Sequence, residues 1–125
     1  LNSGKKSTAV LYFAFLLLEL DYTNQSPNNK LLLRKGISEK VHEAIKSFPD
    51  TLDRNDIGLL YTSASIFLAY HEEQLGADLT NVILSKTNVK DSAPFLKRIK
   101  DHLDPSQSKL LARIEKALRE LDDRE

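Results

Sequence analysis

Ten consecutive apolar residues, Ala9 to Leu18 (AVLYFAFLLL), lie near the start of this chain and constrain its fold more than any other feature. Such a run leaves water by one of three routes: a secretory leader, a bilayer, or a protein core. It follows Lys5 and Lys6, which is the outline of a secretory signal, yet Glu19, Leu20, Asp21 and Tyr22 come next and supply no small-x-small cleavage site. Ten residues also cover only half of the roughly 20 that a membrane-spanning helix needs. The expectation is a buried helix in a soluble, intracellular, cytoplasmic protein with no membrane insertion. The chain begins at Leu1 and contains no Met, so processing or residues upstream are expected too.

A core for that helix is within reach, because 41% of the 125 residues are hydrophobic and the length suits one domain. Lys plus Arg and Asp plus Glu each number 18, which excludes a histone-like or polyacidic mode of action. Without Cys there is no disulfide framework, thiol nucleophile, zinc knuckle or iron–sulfur cluster.

Helical spacing fills the rest of the chain. Leu33, Ile37, Val41, Ala44, Ile45 and Phe48 fall on one stripe, with Gly36 predicting a break into two short helices near Ser38. Thr23 to Asn29 reads as a turn, including the glycosylation-like Asn24-Gln25-Ser26 before Pro27, and Pro49 and Asp50 interrupt the following segment. Ile57 to Leu75 reads as one helix ending at Gly76. It has a core arc of Ile57, Leu60, Tyr61, Ala64, Phe67, Leu68 and Leu75, and a second arc of Leu59, Ile66 and Tyr70. Ala77 to Val89 suits a short strand or a helix and is read as helix, since no second strand-like run exists to pair with it. Pro94 and Pro105 mark helix starts. Ser92 is the expected cap of a helix burying Phe95, Leu96, Ile99 and Leu103, with Lys97 and Arg98 pointing away. Asp104, Pro105 and Gln107 begin the last helix as cap, first position and capping-box partner. Leu110, Leu111, Ile114, Ala117, Leu118 and Leu121 form its inner face, and Glu115–Arg119 and Lys116–Glu120 its outer pairs. The fold class is all-α: a single domain over residues 1–125, a bundle of five to seven short helices with the hydrophobic N-terminal helix near its centre.

No catalytic or metal motif is complete. Gly4-Lys5-Lys6-Ser7-Thr8 lacks the upstream glycine and strand of a phosphate loop and reads as a helix start capped by Ser3 or Ser7. His71-Glu72 opens like a zinc-protease motif, but Leu75 stands where the second His belongs, and His71 is expected on the core-facing seam. His42-Glu43 fails in the same way at Lys46. Asp53 to Gly58 resembles a calcium loop whose fifth and twelfth positions, Ile57 and Ala64, cannot be ligands. Asp53, Asn55 and Asp56 are read as helix-capping residues instead. No cofactor and no enzymatic activity are expected; a site around His42, His71 or His102 ranks last.

Two asymmetries remain. Residues 30–46 carry a net +3, residues 84–100 a net +4 and residues 50–78 a net −5. Lys30, Arg34, Lys35, Lys86, Lys90, Lys97, Arg98 and Lys100 are thus candidate contacts to phosphates or an acidic partner. There is also more apolar helix surface than one small core can cover. Tyr12, Phe13 and Phe15, or Leu59, Ile66 and Tyr70, are candidate anchors of a protein interface. The function expected is a non-catalytic interaction or assembly module that binds itself or a protein partner. The alternative is an accessory nucleic-acid-binding subunit using the two basic segments.

Overall fold

The computed structural model describes residues 3–124 and is all-helical over them. Six helices follow in order: α1 (Ser3–Leu20), α2 (Pro27–Lys46), α3 (Arg54–Ala69), α4 (Glu73–Lys86), α5 (Val89–Lys100) and α6 (Ser108–Arg124). A single 3-10 turn, Pro105–Gln107, leads into the last. Stretch 77–89 is mainly helical, as expected.

The helices form three consecutive pairs stacked side by side. α1 packs on α2, α3 on α4 and α5 on α6; between pairs, α1 meets α3, α2 meets α4, α3 meets α5 and α4 meets α5 and α6. One layer is therefore α1, α3, α5 and the other α2, α4, α6, the arrangement used by helical solenoids. The core runs between them through Val10, Ala14, Leu17, Val41, Leu60, Phe67, Leu79, Ile83, Leu96 and Ile114.

This stacking moves the centre. The expected central helix, α1, lies at the edge, and the middle pair α3–α4 is enclosed instead. α1 buries only the stripe Ser7, Val10, Ala14 and Leu17. Ser7 is not a cap: it sits inside α1, and its hydroxyl donates to Asp56 Oδ1 at 2.7 Å. The other cap candidate, the side chain of Ser3, and Leu1 lie outside the described residues.

Local chemistry explains the other boundaries. α2 is one continuous helix through Gly36, capped by the Ser26 side chain and opened by Pro27. The helix expected over 57–75 is two. α3 ends in a Schellman-type turn, with His71 left-handed at φ 66° and the Glu72 N–H donating to the Phe67 carbonyl at 2.8 Å. His71 is consequently exposed rather than core-facing. Gly76, expected to end a helix, lies within α4, and its role is close packing: a Cβ there would come within 2.5 Å of Leu68 Cγ. α5 begins at Asn88, whose side chain accepts from Lys90 N–H. Ser92 is buried one turn later, and Pro94 sits inside the helix. At the 3-10 turn the Asp104 side chain accepts the Ser106 N–H, which holds that carboxyl below its usual range. Glu115 reaches Lys100 on α5 at 3.7 Å, so its partner is not the expected Arg119.

Candidate functional site

The α1–α2 pair forms one end of the stack. Its helices run antiparallel, since a six-residue link joins their near ends and Lys6 Nζ at the far end donates to the Ser47 carbonyl. At 100° per residue, the exposed positions of α1, namely Lys5, Thr8, Tyr12, Phe15 and Glu19, lie opposite the stripe that α1 buries toward α3. They form the outward face of the terminal pair, where a further helix pair would stack.

This pair also carries the chain's exposed large apolar side chains, among the described residues. The large hydrophobic side chains exposed among the described residues are Tyr12 at 60%, Phe15 at 47%, Tyr22 at 83%, Leu31 at 68%, Leu32 at 66% and Leu33 at 45%. All six belong to α1, α2 or the loop between them. The opposite end of the stack shows Lys97, Arg98, Lys116, Arg119 and Glu120 to solvent.

The interface residues expected from the sequence divide sharply. Tyr12 and Phe15 are open. Phe13 is half-buried, packing against the core and edge-on to Tyr12 at a ring separation of 5.8 Å. Leu59 is half-buried, and Ile66 and Tyr70 pack against the core, so the second arc of α3 is largely used inside the molecule. Tyr22 and Leu31 to Leu33 were not anticipated, and Leu33 was assigned to the core. A sequence signal did exist: three consecutive leucines subtend about 200° on a helix, more than one buried stripe holds.

Several of the expected cations are engaged within the chain. Arg34 donates to Glu72 Oε1 at 3.0 Å and to the Tyr70 carbonyl at 2.9 Å. Lys86 holds the Phe48 and Pro49 carbonyls at 3.4 and 3.1 Å, and Lys100 pairs with Glu115. Lys30 is half-buried, while Lys35, Lys90, Lys97 and Arg98 are exposed. The first three of the eight expected contacts sit on α2, which packs on α1 and α4; α5, carrying Lys90, Lys97, Arg98 and Lys100, packs on α3, α4 and α6.

Of the three histidines, His42 has the most organised polar surroundings. Its Nε2 lies 2.7 Å from Asp78 Oδ2, its Nδ1 3.5 Å from Ser38 Oγ, and Gln74 Nε2 donates to Asp78 Oδ1 at 2.9 Å. The order Ser–His–Asp resembles a hydrolytic triad. Ser38, however, lies mid-helix, where its own backbone amide belongs to the helical ladder and offers no oxyanion donor. The network reads as a polar clasp between α2 and α4. His71 is at the α3–α4 corner and His102 in the link after α5, both exposed. Among the described residues no cluster of His, Asp and Glu could hold a metal ion, and no helix is long and apolar enough to cross a membrane.

In comparisons with protein-family models, curated proteins and solved structures, nothing matches this chain.

Proposed function

We propose that this chain is a helical interaction module, an adaptor, regulator or small subunit, that binds protein through the outward face of its α1–α2 pair. The observation that supports this reading is the confinement, among the described residues, of all six exposed large hydrophobics to residues 12–33. Scattered apolar side chains are normal on a protein surface, but their concentration on one element pair marks an association surface. Tyr and Phe are suitable anchors, offering much apolar area for few rotatable bonds. The end of a helical stack also needs a polar outer face to remain single, and the middle of this one, at Tyr12 and Phe15, is aromatic.

The test is a Tyr12→Glu/Leu32→Glu double variant. Both side chains are exposed, so helicity and the unfolding midpoint should stay close to those of the parent chain. Molar mass by light scattering, and recovery of associated proteins on the immobilised chain, should both fall toward those of an isolated 14.2 kDa monomer. A double variant that keeps every associate and the parental mass would remove this face from consideration.

A further inference from the structure

The exposed stripe of α1 has an internal symmetry that names its occupant. Positions 5, 8, 12, 15 and 19 alternate steps of three and four, the spacing of a coiled-coil seam, but on the side facing away from the protein's own core. Lys5 and Glu19 lie seven residues either side of Tyr12, so the stripe is basic at one end, aromatic at the middle and acidic at the other. Neither Lys5 nor Glu19 has an ion-pair partner among the described residues.

We propose that the face is covered by a second copy of this chain, α1 against α1 in antiparallel orientation about a two-fold axis at Tyr12. This proposal rests on the association reading above. Under that operation Tyr12 meets its own equivalent, Phe15 lies near Ala9 of the other copy, and Lys5 and Glu19 pair twice across a seam about 21 Å long at 1.5 Å per residue. Parallel pairing would instead set lysine against lysine and glutamate against glutamate. Leu32 and Leu33 are also exposed on the adjoining helix. A single-helix seam belongs with the small, transient interfaces rather than with the standard class of roughly 800 Å² per partner.

Charge reversal tests the geometry. The wild-type chain at hundreds of micromolar should show about twice the monomer mass in sedimentation. Lys5→Glu alone and Glu19→Lys alone should each weaken self-association about tenfold or more, and the combined Lys5→Glu/Glu19→Lys chain should recover it, because the swapped charges complement again. Both substitutions are at exposed sites, and circular dichroism controls for folding. A wild-type chain that stays monomeric up to about 1 mM, or a swap that fails to restore association, overturns the proposal. If Tyr12→Glu/Leu32→Glu abolishes capture of a different protein while the charge reversals change nothing, the second copy is excluded and the association reading stands.

Discussion

Asp56 is fully buried, and a carboxylate is tolerated there only because the chain surrounds it with donors. Its Oδ1 accepts the Ser7 hydroxyl at 2.7 Å, and its Oδ2 accepts the Asp53 N–H at 3.1 Å, closing a capping box with the Asp53 side chain. One side chain thus starts α3 and ties it to α1. Replacing Asp56 with Ala removes the cap and leaves Ser7 buried without this acceptor, so denaturant unfolding should show a loss of about 2–4 kcal/mol. A loss below about 1 kcal/mol would show that Asp56 is not a structural tie. His71 is the opposite case, a residue held against its preference. Its φ of 66° is the left-handed conformation in which Gly is at ease and a β-carbon costs about 1–2 kcal/mol. Glycine's greater freedom in the unfolded chain offsets part of that, so His71→Gly should stabilise by about 0.5–1 kcal/mol. Destabilisation on that substitution would mean the imidazole has a role at the corner beyond its backbone.

At the scale of helices, the helical character of the chain was legible and several boundaries were not. Apolar spacing revealed α2, α3, α5 and α6 as helical because each buries one recurrent stripe, while α4 was read as helix only for want of a strand to pair with. The spacing ran straight through the α3–α4 corner, where Leu75 is buried, Leu68 is half-buried and the turn uses His71 in place of the usual Gly. The outward face of α1 was legible only in part, since an apolar run shows hydrophobicity all round without saying which side a neighbour takes. The His42–Asp78 clasp was invisible, because a 36-residue separation has no local signature. The two glycines read as breakers differ in a way only packing reveals. A Cβ at Gly36 would meet nothing within 4 Å, whereas one at Gly76 would strike Leu68. Gly36→Ala should therefore stabilise α2 by about 0.5–1 kcal/mol through helix propensity. Gly76→Ala should destabilise by about 1–3 kcal/mol through overpacking of the α3–α4 corner. Thermal unfolding of the pair settles the matter: two shifts of the same sign would contradict the packing at one of these positions.

For the whole molecule, the consequence of stacking three helix pairs is that the stack has two different ends. The α1–α2 end is apolar with a charge at each margin of its seam, and the α5–α6 end presents mainly charged side chains. Joining unlike ends would bury the α5–α6 charges against Tyr12, Phe15 and Leu32, at the desolvation cost that unpaired buried charges carry. It would also leave a free apolar end at each step, so assembly would continue without limit. Joining two apolar ends buries the hydrophobic face on both copies and leaves only polar ends exposed. Association of this kind closes at two. Light scattering over a concentration series should accordingly rise from 14.2 kDa and level off at twice that mass. Mass that climbs past the dimer without a plateau would show that unlike ends meet, and that the polar face of α5 and α6 tolerates the apolar one.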